Sequence, residues 1–420
     1  MYGEKAWLGD FATMDNDDVR YVRSGMKVVE DFSLYYLNVD FETDVSSVFV
    51  MPGYPLFLAF FFKVFGFTGS TASVSATAVA MGSLAVRLAQ GLLQFGVLVL
   101  LYRIGKRFFS VWTARLAVVF YMFYIPNLEA PLLILTEVVF TFLFVLLVYL
   151  CMVALETKRM TYYVWGGIVL GLAALFRPTI LLFPLVILVI WLLLKESHPQ
   201  SGSSIRKYSA REMLVRGFVV GCILMAMMAP WWIRNGVEFG RFIPMTEASG
   251  DPFMQGAFID YDFDTMPLYT ADLSPELDAQ ATDIAKMNVG KRRLQDSWQE
   301  DPLKTIHWYT VGKLKYLWQY PYYNFPGGQY VFGVSWNTMF RYHWLLLGLA
   351  GLGVVLNGFR GERNRRLKLL LPFSVVYMSA IYLPYFTCSR YAYPLMPIIF
   401  LLAACGVCSA ARWLSTDLPR

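Results

Sequence analysis

Charge is scarce in this chain: Asp, Glu, Lys and Arg make up 16% of 420 residues, against 57% apolar. A soluble protein of that length needs a polar skin, which this composition cannot supply, so the chain reads as an integral membrane protein. Histidine is scarcer still. The 3 present, His198, His307 and His343, have no metal-ligand spacing, which speaks against a histidine zinc centre. Of the 5 cysteines, Cys151, Cys222, Cys405 and Cys408 lie inside apolar runs and Cys388 at the edge of one, without the spacing of a disulfide framework or a metal site. There is no Gly-rich loop ending in Lys-Ser/Thr, which disfavours a nucleotide-driven pump. The sequence also has no cleavable signal pattern, internal repeat or low-complexity stretch.

What is present is organised for a bilayer. Aromatics reach 17%, suiting a chain with many membrane–water boundaries. The formal charge of +6 does not point to nucleic acid, because the basic residues fall in short clusters between apolar runs. At about 20 apolar residues per crossing, roughly nine spans are expected. These are Leu84–Tyr102, Val111–Pro126, Leu132–Leu155, Tyr162–Phe176, Thr179–Leu194, Phe218–Trp232, His343–Phe359, Leu367–Phe386 and Tyr391–Trp413. The Gly166 to Gly171 stretch is expected to allow close helix packing.

The clusters Arg103 to Arg107, Lys158-Arg159, Lys195 to Arg216 and Arg360 to Lys368 alternate with those spans and mark the cytoplasmic loops. The resulting organisation is an outer loop at 1–83, a transmembrane bundle of about six spans at 84–234, a large outer loop at 235–342 and C-terminal spans at 343–420. The apolar run from Pro55 to Gly66 is too short to cross and is expected to lie in the interface. Counting it as a span would put the basic clusters outside. A second interfacial, amphipathic helix is expected from Asp296 to Trp318. With 1–83 outside and no span before it, a first helix missing from this start site is expected, or else a reverse anchor at Leu84.

Three groups of residues could carry chemistry. The run Asp15-Asn16-Asp17-Asp18-Val19-Arg20-Tyr21 holds an acidic pair that could accept a proton from an attacking hydroxyl or hold a metal; its plain alternative is a solvated loop. Glu137, after Thr136 at the outer end of a span, is costly facing lipid and so points to a polar cavity, or else reaches the headgroups. Arg177, Arg234 and Arg390 stand at outer boundaries, against the usual bias of basic residues. They are either headgroup anchors or a set of guanidinium groups for phosphate oxygens.

Taken in order, these segments resemble the GT-C group of membrane glycosyltransferases that use polyprenyl-phosphate sugars. Within it they look most like the bacterial branch of the dolichyl-phosphate-mannose–protein mannosyltransferase family, which includes the aminoarabinose and galacturonic acid transferases of lipid A. The acidic pair and Arg-Tyr correspond to Asp17-Asp18-Val19-Arg20-Tyr21, and the Pro-rich step into an interfacial helix to Pro52-Gly53-Tyr54-Pro55 through Phe65-Gly66. The Arg-initiated span runs from Arg87 to Arg107. The second acidic site matches Thr136-Glu137, and the Arg-Pro step Arg177-Pro178. The Pro-Trp-x-x-Arg-Asn signature matches Pro230 to Asn235, and the Arg-Tyr-x-x-Pro motif Arg390 to Pro394, with Pro397 beyond it. Three departures stand out. Asp18 replaces a usual Glu, the family's first span is absent, and Met51 stands where some lipid A transferases carry a phosphate-contacting Lys.

The resemblance implies an all-α polytopic GT-C bundle with interfacial helices and a mixed outer loop. It also implies inverting transfer of a sugar from a polyprenyl-phosphate donor to an acceptor hydroxyl on a lipid, protein or glycan. Asp17 would be the base, with Glu137 and Asp18 orienting; Arg390, with Arg234 or Arg177, would hold the donor phosphate; Arg20, Tyr21, Tyr54 and Tyr391 would bind substrate. No cofactor is implied, and a divalent cation is left open. The expected location is a bacterial inner membrane, with the site on its periplasmic side. The alternatives are a lipid-linked glycan ligase or polymerase, which centres on arginines rather than an acid pair, and a polytopic transporter or flippase. The latter requires polar residues inside the spans, of which few are evident.

Overall fold

The computed structural model describes residues 17–34, 48–66, 76–195, 209–271, 273, 279–322, 333–359 and 365–416. Asp15 and Asn16 of the acidic run, His198, and parts of the basic loops at 195–216 and 360–368 lie outside the described residues. Among the described residues the chain is helical and contains no strand, so the outer loop expected to be mixed is helical as well.

Five helices are long and apolar enough to cross a membrane. They are α3 (Ala76–Phe108), α5 (Glu137–Thr157), α8 (Ala210–Phe239), α13 (Trp336–Phe359) and α15 (Met396–Thr416), the last with the turns before it from Ser389. The other four expected spans fall on shorter helices: α4 (Val111–Phe123), α6 (Met160–Phe176), α7 (Pro184–Lys195) and α14 (Leu370–Tyr382). Proline and polar turns shorten them. After α4 the chain leaves helical geometry at Tyr124 and bends by 68° into Pro126–Leu132. The span expected from Leu132 starts only at Glu137, because Pro131 closes a 3-10 turn and Leu133 is extended.

The long helices differ in what they face. In its most apolar stretch α5 has 72% of its residues buried, and α8 only 6%. The central post is therefore α5, packed against α3, α6 and α14, while α8 is a lipid-facing rim. A capping box at Ser209 and Glu212 opens α8, and Gly240, at φ 67°, ends it. Helices α13 and α15 pack most closely at Gly353 and Gly406, where a Cβ on Gly353 would run into the Leu402 carbonyl oxygen.

Two helices precede the bundle: α1 (Asp17–Asp31) and α2 (Gly53–Val64). The second, 12 residues long, covers the run expected to lie in the interface. Tyr54, Leu58 and Phe62 face inward, while Phe60 and Val64 are exposed. The second amphipathic helix, expected as one piece at 296–318, is broken. The segment expected to be outer includes α9 (Gly250–Ala257), α10 (Ala279–Glu300), α11 (Pro302–His307), a π-helical turn at Trp308–Gly312 and α12 (Lys313–Trp318). The break has a local cause: Pro302 cannot continue a helix, and Asp301 caps the next one by accepting from the Lys304 amide at 2.9 Å. Its apolar face nevertheless remains open at Leu303, Ile306 and Val311.

Residues expected on opposite faces of the membrane separate to opposite ends of the bundle. One end holds Arg107 with Glu156 at 2.8 Å, and Arg216 donating to the Lys158 carbonyl at 3.0 Å. The other end gathers the acids and arginines.

Candidate active site

Glu137 opens α5, where the exposed amides of a helix N-terminus favour a carboxylate. It lies within the helical bundle, and its side chain is 2% exposed. Two guanidinium groups converge on its Oε1: Arg177 Nη2 at 2.6 Å, and Arg390 through Nε. Arg177 leaves α6 extended before Pro178 and also donates to the Thr136 hydroxyl from Nε at 3.0 Å and Nη2 at 2.8 Å. Glu137 Oε2 is buried with no hydrogen-bond partner among the described residues.

Arg390 reaches in the other direction too. Its Nη1 donates to Asp17 Oδ2 at 2.7 Å, so one guanidinium bridges both acids. The acids differ in access: the Asp17 side chain is 45% exposed, the Arg390 side chain 27%. Asp17 is the acid a solute can reach, and Glu137 is sealed beneath it. Among the described residues, Nη2 of Arg390 makes no hydrogen bond, which leaves a charged donor at the lip.

Tyr21, one helical turn beyond Asp17, is partly buried with its ring edge-on to Tyr54 at 5.0 Å. Burial, opposed by Arg390 and aided by Asp17, pushes its phenol up to about 12, so it remains a neutral donor. Tyr54 is fully buried and donates to Gln90 Oε1 at 3.0 Å. It supports Tyr21 from below rather than meeting solvent. Asp18 is half-buried, within Coulombic reach of Arg87 and Tyr54.

Other expected site residues are placed elsewhere. Arg234 hydrogen-bonds to Asn235 Oδ1 at 3.0 Å and lies over the Trp231 and Phe239 rings, at 5.4 Å and 5.1 Å. Tyr391 stacks on Tyr382 at 4.7 Å, a packing contact behind Arg390. Arg20 is half-buried on α1 and is not a hydrogen-bond partner of Glu137 or Arg390.

Sequence reasoning passed over several neighbours. Gln90 Nε2 donates to the carbonyls of Pro131 at 2.9 Å and Leu133 at 2.8 Å, and fixes the strand of chain leading to Glu137. Gln94, one turn on, joins Tyr121 and Tyr393. Two glutamines one turn apart in an apolar run carried the signal, since buried amides in a span need partners. Tyr322 of the outer segment lies against Tyr393 at 5.3 Å, within Coulombic range of Glu137 and Arg390; burial raises its phenol well above the ordinary range.

Among the described residues no three His, Cys, Asp or Glu side chains come together, and the two nearest acids both bind Arg390, whose charge repels a metal.

Fold and site together define a helical membrane bundle with an arginine–carboxylate cluster at one end. Residues 50–233 match the family described as dolichyl-phosphate-mannose-protein mannosyltransferase, which meets the resemblance expected from the sequence. An Archaeoglobus fulgidus oligosaccharyltransferase tethered to an acceptor peptide has the same fold, with TM-score 0.55 and 11% identity over 94% of this chain and 46% of that one. The oligosaccharyltransferase AglB from the same organism, in complex with an inhibitory peptide and a dolichol-phosphate, matches at TM-score 0.55 and 13% identity, covering 96% and 48%. ArnT from Cupriavidus metallidurans, bound to undecaprenyl phosphate, gives TM-score 0.42 and 12% identity, covering 100% and 80%. The chain thus spans less than half the length of the oligosaccharyltransferases it resembles. No curated protein matches the sequence.

Proposed function

We propose that this chain is a membrane glycosyltransferase that moves a sugar from a polyprenyl-phosphate donor to an acceptor hydroxyl, with inversion. The observation carrying this reading is the Asp17–Arg390–Glu137 bridge, with an accessible acid and a charged donor at the same lip. A similar fold is seen with a dolichol-phosphate in AglB, which supports a lipid phosphate as the donor's anchor here.

In this reading Arg390 Nη2 meets a donor phosphate oxygen, and the phosphate competes with Asp17 for the guanidinium. Asp17, released in part, takes the acceptor hydroxyl proton as that oxygen bonds to the anomeric carbon. The bond from that carbon to the phosphate oxygen breaks, and its electron pair leaves on the polyprenyl phosphate, where Arg390 offsets the new charge. Glu137, held by Arg177 and Thr136, fixes the far edge of Arg390. Asp18 and Tyr21 frame the acceptor side. The helices α2 and α11, with their exposed apolar residues, flank the lipid entrance. The site faces the non-cytoplasmic side of a bacterial inner membrane, on the strength of the basic loops at the opposite end.

Asp17→Asn in membranes supplied with a polyprenyl-phosphate sugar tests the assignment. Transfer is expected to fall about 10²- to 10⁴-fold, the usual contribution of a general base. Near-normal transfer would remove Asp17 from the role.

A further inference from the structure

The chain between α14 and Arg390 is gripped from outside at Leu383, Tyr385, Phe386 and Thr387. Lys313, at the start of α12, is fully buried, and its Nζ donates to the carbonyls of Leu383 at 2.8 Å and Tyr385 at 3.0 Å. The Tyr309 ring lies 4.1 Å from the ammonium and the Trp308 ring 5.7 Å. The next amide, of Phe386, donates to the Pro252 carbonyl at 2.6 Å. The Thr387 amide donates to the Tyr261 hydroxyl at 2.6 Å. Cys388 is then extended, and Arg390 follows in the single turn Ser389–Ala392. Only two residues, Cys388 and Ser389, separate the last gripped position from the arginine that bridges Asp17 and Glu137.

Lys313 is an expensive way to fill a gap. No carboxylate pairs with it among the described residues, and burial lowers its ammonium from 10.5 to about 7. An apolar side chain would pack there without that cost but could not reach two carbonyls at once. Gly256 leaves the room: a Cβ there would stand 2.9 Å from Nζ and 2.6 Å from the Tyr385 carbonyl carbon.

We infer that Lys313 is a positioning residue for Arg390: by holding the Leu383 and Tyr385 carbonyls it sets where the guanidinium meets a lipid phosphate. The inference rests on the reading of Arg390 as the phosphate contact. It makes the outer segment the part that sets the geometry of the phosphate site.

The test uses the full chain in lipid nanodiscs, with Lys313→Met and, from the other side of the same bond, Gly256→Ala. Two probes are compared, decaprenyl phosphate and decaprenol, alongside hydrogen exchange of the 383–392 amides. Both variants are expected to bind decaprenyl phosphate about tenfold more weakly, to bind decaprenol as the unmodified chain does, and to exchange faster at 383–392. Equal weakening for both probes, or unchanged phosphate binding with unchanged exchange, overturns the inference. Should Lys313→Met fail to fold, Gly256→Ala decides it. Wild-type phosphate affinity in Arg390→Gln would instead strike the phosphate reading, and the exchange result alone would then decide whether Lys313 positions Arg390.

Discussion

Glu137 takes two guanidinium groups on one oxygen and leaves the other oxygen buried without a hydrogen bond. A carboxylate in that setting acts chiefly as a countercharge, and its removal leaves Arg177 and Arg390 facing each other. Glu137→Gln keeps the shape and deletes the charge. It is expected to cost about 3 kcal/mol of stability, as when one member of a buried ion pair is lost, and to abolish transfer. Thermal unfolding of the purified variant alongside a transfer assay checks both. An unchanged melting temperature would mean that the arginines find other partners. Glu137, Arg177 and Arg390 were each legible as local signals, an acid or arginine beside a span end. Which arginines would meet was not legible. Arg234 carried the same signal as Arg390, yet it turns onto Trp231 and Phe239 rings within its own helix.

At the scale of elements, α2 decides how the acidic pair is held. Its first residue, Gly53, sits against the end of α6, where a Cβ would lie 2.6 Å from the Leu175 carbonyl oxygen. A carbonyl of a packed helix cannot give way as a flexible side chain can. Gly53→Ala is therefore expected to push α2 off α6, carry Tyr54 and Tyr21 with it, and cost about 1–3 kcal/mol. A fall in melting temperature together with weaker transfer is the expected outcome; full activity at normal stability would rule the contact out as a constraint. That α2 would be a short helix, too short to cross a membrane, followed from its length and its bounding prolines and glycines. The break in the second amphipathic stretch was present too, in Asp301-Pro302, but an apolar stripe running across both pieces hid it.

For the whole molecule, the alternation of basic clusters implies a side for each end. A single cysteine placed at Lys304 of a cysteine-free chain is expected to react with a membrane-impermeant maleimide on intact cells. One placed at Arg159 is expected to react only after permeabilisation. The reverse pattern would invert the topology and detach the site from the periplasmic face. The fold class was legible from composition, because apolar runs of this length admit little besides a helical bundle. The convergence of its outer end was less so, since it depends on α14, the gripped turn and α15 arriving together.

The Arg390 bridge also has a history in time. Its partners stand 373 and 253 residues earlier in the chain. At ordinary synthesis rates Glu137 precedes Arg390 by a delay on the order of tens of seconds. During that interval the nascent helix holds a carboxylate whose final partner has not yet been translated. Arg177, made only 40 residues after Glu137, arrives early enough to chaperone it. The pair that looks redundant in the finished protein is the one that lets an acidic helix wait in the membrane for the rest.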